Sequence, residues 1–350
     1  MGCYHPLKGF CFGSTVSGRD NIIVTSFAVD HIEIDEQGNV RKAYNRGIGA
    51  NTRLCIPGSE AIEIPCGQCI GCRLDYSAQW ASRCLLEMKQ HEHNCFLTLT
   101  YDDDHLHDIW TCRLSDHKEQ IPSTLDKRDL QLFWKRLRKY IGSDLRYYAA
   151  GEYGDTTGRA HYHAIVFGFD PRNSDKFNDI QLYSSSAQGY NYYVSEKMNK
   201  IWQNGQVIIA DASWESAAYT ARYVMKKMKG LGSSIYNELS IEPEFVTMSR
   251  RPGIGYNWLI SDIVCYATFL KQYISSNNGR REIGKLRYFD NKLDEMYPFD
   301  YEKLKENRNH YAKYRKRLKL GETSLSYVDL LQKEEMMKKD QTRIFKRISI

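Results

Sequence analysis

The chain has 350 residues, 42% of them hydrophobic and 13% aromatic, enough for one large domain or two modest ones around real cores. Its formal net charge of +6 is uneven: from Arg280 onward there are 19 Lys/Arg against 12 Asp/Glu, while residues 1–279 hold 30 against 31. A basic end on a neutral body points to an anionic partner, nucleic acid before membrane, and no apolar run approaches the roughly 20 residues that cross a bilayer.

In chain order, the first 61 residues alternate short apolar runs such as Asn21–Phe27 and His31–Ile34 with Gly, Asn and Asp, the pattern of irregular β structure. The ten cysteines follow no cleavable hydrophobic leader, so reduced thiols in a soluble, cytoplasmic protein are expected. Three of them stand in Pro65-Cys66-Gly67-Gln68-Cys69-Ile70-Gly71-Cys72, which makes most of a tetrahedral, structural Zn2+ site. The fourth ligand is expected from Cys3, then from Cys11 or His5. An iron–sulfur cluster and ordinary thiols are the alternatives.

Leu74, Ala78, Ala81, Leu85 and Met88 recur at helical steps and predict a helix over Arg73–Gln90. Cys95–Tyr101 then reads as a strand ending in the acidic loop Asp102–His107. A second helix is predicted to start at Ser123 or Thr124, with Asp126 completing a capping box. It would bury Leu130, Phe133, Leu137 and Ile141 and stop at Gly142. Lys127, Arg128, Lys135, Arg136, Arg138 and Lys139 on its circumference are offset only by Asp129, which suits either a solvated face or a phosphate-binding surface.

The stretch Tyr147–Phe169, YYAAGEYGDTTGRAHYHAIVFGF, organises the rest. Leu145–Glu152 and Ala160–Phe169 read as paired strands. His161 and His163, two apart, project to one face, and the hairpin brings Glu152 beside them. Two imidazoles and one carboxylate suit a divalent metal with open positions, although paired strand histidines are more often hydrogen-bonded or solvent-facing. The polar run Asn173–Gln206 is expected to be a long surface connection, with Tyr190, Tyr192, Tyr193 and Trp202 as packing residues or, second to that, a base-stacking platform.

Ser213–Gly230 has a start signal, a helical period and a glycine stop. Ala217, Ala221, Val224, Met225 and Met228 cluster on one side. Tyr219, Tyr223 and Lys226 fall within about 60° on the other, with Lys227 at its edge. A tyrosinate can attack phosphorus and hold a covalent phosphotyrosine, and two tyrosines one turn apart permit two successive transesterifications. Amphipathic tyrosines covering a groove are the alternative. Lys226 and Lys227 lie three and four residues beyond Tyr223, which favours Tyr223 as the first nucleophile. Arg250 and Arg251 precede a Gly-rich turn that could grip phosphate or be a plain surface turn. Beyond Arg280 the chain reads as mostly charged helix, with Tyr311–Leu320 its most basic piece, a DNA-contacting or partner-docking arm or a solvated tail.

The strings FLTLTY, GEYG…GRAHYHAIVF and AAYTARYVMKK resemble the three motifs of HUH endonucleases, the rolling-circle initiators with a His-hydrophobic-His pair. The resemblance is closer still to the replication initiation proteins of microviruses, small single-stranded DNA phages, and particularly of the gokushovirus branch. MGCYHPL, PCGQCIGCR, QLFWKRLRKY, ESAAYTARYVMKK and PEFVTMSRRPGIG carry it from Met1 to about Tyr256, with a weaker echo over Lys285–Tyr311. It implies an α+β fold, with a central antiparallel sheet in an RNA-recognition-like palm flanked by helices. The expected division is a Cys-rich β region (1–72), an endonuclease core (73–260) and a helical basic C-terminal region (261–350).

By the same resemblance, His161, His163 and Glu152 hold a catalytic Mg2+ or Mn2+, and Tyr219 and Tyr223 are paired nucleophiles served by Lys226 or Lys227. The implied activity is site-specific nicking and joining of single-stranded DNA at a replication origin through a 5′-phosphotyrosine, in the cytoplasm of a bacterial host. The 3′ hydroxyl left behind serves a host polymerase, with a host helicase as a further partner. Two rival classes stand beside it. A non-catalytic zinc-containing single-stranded nucleic-acid-binding protein would tolerate Phe at both tyrosines. A mononuclear iron oxygenase would leave the tyrosine–lysine stripe unexplained.

Overall fold

The computed structural model describes residues 2–14, 20–44, 48, 52–107, 123–142, 144–154, 157–187, 189–223, 234–269, 272–276 and 279–346. They fall into two compact units, residues 1–75 with 313–350, and residues 76–312. Among the described residues, no helix is long and apolar enough to cross a membrane.

The first unit opens with six short strands: β1 (Leu7–Ser14), β2 (Asp20–Ser26), β3 (His31–Asp35), β4 (Val40–Ala43), β5 (Thr52–Pro57) and β6 (Ile62–Ile64). They form two antiparallel three-stranded sheets, in the orders β2–β1–β6 and β4–β3–β5. Phe10, Val29, Ile32 and Ile56 make a small core, and a second apolar cluster gathers Tyr4, Cys69 and Leu331.

The chain continues through α1 (Ile70–Met88), β7 (Asn94–Tyr101), α2 (Lys127–Ile141), β8 (Arg146–Tyr153) and β9 (Ala160–Phe167). Then come β10 (Gln181–Ser185), β11 (Asn191–Val194), α3 (Glu196–Trp202), β12 (Gly205–Asp211), α4 (Trp214–Tyr223), α5 (Ser234–Glu238) and β13 (Phe245–Met248). One seven-stranded sheet runs in the order β10–β11–β12–β7–β9–β8–β13, every pair antiparallel. The fold is mixed α+β. β9 shows how the sheet divides the core. Tyr162, Ala164 and Val166 pack with Leu130, Phe133 and Leu137 of α2 and with Ile201 and Trp202 of α3. Ile165 and Phe167 point the other way, to Ala81, Cys84 and Leu85 of α1 and Ala217, Ala218 and Ala221 of α4. Strand alternation puts His161 and His163 on this second face.

Three expectations need correcting. Asp126, not Ser123 or Thr124, caps α2: its side chain accepts from the Arg128 N–H, while Gly142 ends the helix in the left-handed region at φ 75°. Asn173–Gln206 is no plain connection, because it holds β10, β11 and α3. It looked like one because β10 is exposed throughout and α3 is short, burying Met198, Ile201 and Trp202. Nor does charged helix begin at Arg280. After α6 (Tyr256–Ser261) and α7 (Ile263–Thr268), β14 (Gln272–Ser276) and β15 (Gly279–Ile283) form a hairpin before α8 (Arg287–Met296), α9 (Pro298–Gly321) and α10 (Tyr327–Lys346). Tyr266, Ile274, Ile283, Phe289 and Leu293 from this stretch are buried in the core of α1 and α4.

Candidate active site

The register of three strands assembles the acid–histidine group. Glu152 on β8 lies opposite His161 on β9, and Thr98 on β7 lies opposite His163. Glu152 Oε1 stands 2.6 Å from His161 Nε2 and 3.0 Å from His163 Nε2. The other ring nitrogens are anchored too. His161 Nδ1 is 3.0 Å from the Arg159 carbonyl, which can only accept, and His163 Nδ1 is 3.0 Å from the Thr98 hydroxyl. Such partners fix ring orientation and leave both Nε2 atoms aimed at the carboxylate. Glu152 is 3% exposed and His163 6%. Burial alone would push the Glu152 carboxyl up, but hydrogen bonds from His161 and His163 outweigh it and hold it below its ordinary value.

The three donor atoms lie within 4.8 Å of one another. An octahedral Mg2+ with bonds of about 2.1 Å separates neighbouring donors by about 3.0 Å. The two Glu152–histidine separations, 2.6 and 3.0 Å, lie near that edge, and imidazole and carboxylate donors suit a divalent cation chemically.

Helix α4 brings a tyrosine to this group. Ser213 and Ser216 cap its start reciprocally, the Ser213 N–H to Ser216 Oγ at 2.8 Å and the Ser216 N–H to Ser213 Oγ at 3.1 Å. Arg281 pairs with Glu215 and covers the Trp214 ring at 4.6 Å. Three alanines, Ala217, Ala218 and Ala221, let the helix settle on β8 and β9. The half-buried Tyr219 ring then meets the His163 ring at 5.2 Å and 74°, and His163 stacks on Phe96 at 5.5 Å. Tyr223 lies one turn further along the same helix. Its side chain, and the whole of Lys226 and Lys227, lie outside the described residues.

Cys3, Cys66, Cys69 and Cys72 converge with their sulfurs within 4.8 Å. The Cys3–Cys69 and Cys66–Cys72 separations, 3.8 and 4.0 Å, match the edge of about 3.8 Å that a tetrahedron with Zn–S bonds of about 2.3 Å requires. This cluster could hold a metal. Burial would raise the Cys69 thiol, yet backbone N–H groups of Cys72 and Tyr4 bring it down to about 6. His5 binds Glu335 at 2.8 Å instead, and Cys11 is exposed.

The predicted DNA-contacting cations are divided. Arg136 donates to the carbonyls of Ile201 and Trp202 at 2.6 Å each, capping α3, and Arg138 donates to the Leu145 carbonyl at 3.0 Å. Lys135 and Lys139 are exposed, but α2 covers the sheet face opposite the histidines. Arg250 and Arg251 are exposed on a turn clamped from behind. Arg83 Nε donates to the Ile254 carbonyl at 3.0 Å, Arg146 to the Pro252 carbonyl at 2.8 Å, and the Gly255 N–H to Glu87 at 2.6 Å.

Two features escaped sequence reasoning. Thr98 was readable in principle, since Thr98 and Thr100 alternate with Leu97 and Leu99 and so mark the histidine-bearing face. The group His107, Asp126 and Asp129 was not. It depends on Tyr101, whose hydroxyl is 2.7 Å from both Asp129 and Tyr162 across the opposite core.

Residues 94–228 match the family of the replication-associated protein ORF2/G2P. The chain is 33% identical over 296 residues to replication-associated protein ORF2 of Spiroplasma virus 4, covering 82% of this chain and 84% of that one. It is 31% identical over 265 residues to replication-associated protein ORF4 of Chlamydia phage 1, covering 73% of this chain and 59% of that protein. Replication-associated protein VP4 of Bdellovibrio phage phiMH2K is also 31% identical, over 223 residues, 61% of this chain and 62% of its own length. The chain matches no solved structure. On this similarity the chain belongs to the replication-associated proteins of microviruses.

Proposed function

We propose that the protein starts rolling-circle replication of a small phage genome by cutting and rejoining single-stranded DNA at the origin, with Tyr219 as first nucleophile and Tyr223 as second. The observation that carries this is the Tyr219 ring against His163, on the sheet face where Glu152, His161 and His163 converge. A phosphate seated there would present its phosphorus to the Tyr219 hydroxyl. The phenolic oxygen forms the new P–O bond and its proton passes to solvent, while the P–O3′ bond breaks and the leaving oxygen takes a proton from solvent to become the 3′ hydroxyl. That end primes a host polymerase, with a host helicase opening the duplex. After one round Tyr223 cuts the regenerated origin by the same exchange. The released 3′ hydroxyl then attacks the phosphodiester on Tyr219, closing the circle and freeing the tyrosine.

Glu152, His161 and His163 would hold Mg2+ or Mn2+, which when bound supplies a Lewis-acid contact to a phosphate oxygen. The antiparallel sheet with helices on both faces suits the palm of HUH endonucleases, and Cys3, Cys66, Cys69 and Cys72 suit structural zinc. Arg250 and Arg251, held on a rigid turn, and the exposed Lys135 and Lys139 are the cations we assign to DNA. We place this activity in the cytoplasm of a bacterial host.

The test is to incubate the protein with labelled single-stranded origin DNA and Mg2+ and to digest any adduct for mass spectrometry. A nucleotide on the peptide containing Tyr219 or Tyr223 is expected, absent from the Tyr219→Phe, Tyr223→Phe double variant. Wild-type protein that binds DNA but forms no adduct is a non-catalytic binding protein instead.

A further inference from the structure

Helix α9 divides its cations by face. Lys316 pairs with Glu63 and lies 3.5 Å over the Tyr327 ring, and Lys319 pairs with Glu334 at 2.6 Å. With Arg315 these line a cleft of about 300 Å3, where Glu63 and Glu334 offset two of the three cations. The other face differs. Lys313 and Arg317 are exposed and have no acidic partner among the described residues. They stand one turn apart, where like charges destabilise a helix. Beside them runs a second i,i+4 column, Tyr314 at 53% and Leu318 at 43% exposure.

We propose that Lys313, Arg317, Tyr314 and Leu318 form a docking surface for single-stranded DNA, independent of sequence and made of other residues than the cutting site. A column of cations against an aromatic column is the arrangement that strand-binding grooves use: phosphates lie along the cations while a base stacks on the ring. An anion across Lys313 and Arg317 relieves their mutual repulsion. The occupant follows from charge, because residues from Arg280 onward carry 19 cations against 12 acids on an otherwise neutral chain. The exposed apolar side chains on this face, Tyr314 and Leu318 with Tyr311 one turn before them, are too few to seat a helix in a lipid surface, which takes a whole apolar face. The surface rests on the reading of the protein as one that handles single-stranded DNA, not on its nicking chemistry.

The test uses the full chain and a short oligothymidine without origin sequence, titrated with salt. The Lys313→Gln, Arg317→Gln variant is expected to bind roughly tenfold more weakly at physiological salt, with the log–log salt slope reduced by about 1.4. Tyr314→Ser should weaken binding by roughly tenfold and Tyr314→Phe should restore it, since the ring and not the hydroxyl stacks. All three should keep the wild-type circular dichroism spectrum, and the adduct yield at saturating origin DNA should not change. Unaltered affinity and slope in the double glutamine variant overturn the proposal, as does tighter binding to anionic phosphatidylserine vesicles than to the oligonucleotide. Loss of the adduct in wild-type protein with the salt effect intact refutes the nicking function and leaves this surface standing.

Discussion

Glu87 on α1 is almost fully buried, yet its carboxylate accepts from Arg146 Nε, from the Gly255 N–H at 2.6 Å, and meets His91 Nε2 at 3.3 Å. Burial alone would raise this carboxyl; hydrogen bonds from His91 and Gly255 and the charge of Arg146 outweigh it and hold it low. A carboxyl lowered by folding stabilises the protein above its unfolded-state value of about 4.3, and that contribution is lost as pH falls through the lower folded value. Glu87→Gln should therefore cost about 3 kcal/mol near pH 7 and progressively less on acidification below about pH 4. Urea denaturation at neutral and acid pH measures this; an equal loss at both would mean that the charge of Glu87 contributes nothing. The substitution should also loosen the turn carrying Arg250 and Arg251. Arg146 and Gly255 were not readable as partners in the sequence, since Glu87 meets them only through packing, whereas His91 lies four residues on, within helical reach. Glu152 and the two histidines were readable, because a hairpin register with period two leaves few choices of partner.

Among the elements, α4 shows what helical periodicity can and cannot give. Its cap, its period and its alanine stripe were legible. That Tyr219 would meet His163 was not, since it depends on how far the helix slides along β8 and β9. The same dependence on packing explains why β10, β11 and α3 were missed: edge strands and a two-turn helix leave few apolar residues to count. The closeness of α4 to the sheet rests on side chains no larger than methyl at Ala217, Ala218 and Ala221. Ala221→Leu should lift the helix, costing about 1–3 kcal/mol by overpacking. It should slow adduct formation by roughly a hundredfold, the penalty of a displacement on the order of 1 Å. Ala221→Gly weakens the helix by about 1 kcal/mol without pushing it away, and should keep most of the rate. Single-turnover kinetics compares the two; equal rates would show that α4 need not lie close for Tyr219 to work.

At the scale of the whole molecule, the first unit draws on residues far apart in the chain with little apolar material to hold them. Its sheets have three strands each, and its larger buried side chains are Phe10 and Ile32. The second cluster depends on sulfur: Tyr4 and Leu331 pack around Cys69, and the Tyr4 N–H donates to Cys69 Sγ at 3.3 Å. Four thiolates holding one metal would join Cys3 to the Cys66–Cys72 turn, and so fix Tyr4 and the part of α10 that carries Leu331. The cysteine spacing was legible in the sequence; the packing of α10 against it was not, because Leu331 sits in a stretch that reads as mostly charged helix. Purified protein should contain about one zinc per chain, since three or four cysteines in a tetrahedral set select it. Chelation, or Cys69→Ser, should then speed amide exchange at Tyr4 and in α10 by orders of magnitude, because metal-binding energy is folding energy in so small a core. Amides of β8 and β9, held in the seven-stranded sheet, should keep their protection. Elemental analysis showing no zinc, or unchanged exchange at Tyr4 after chelation, would leave the four cysteines as a thiol cluster that stabilises nothing through metal.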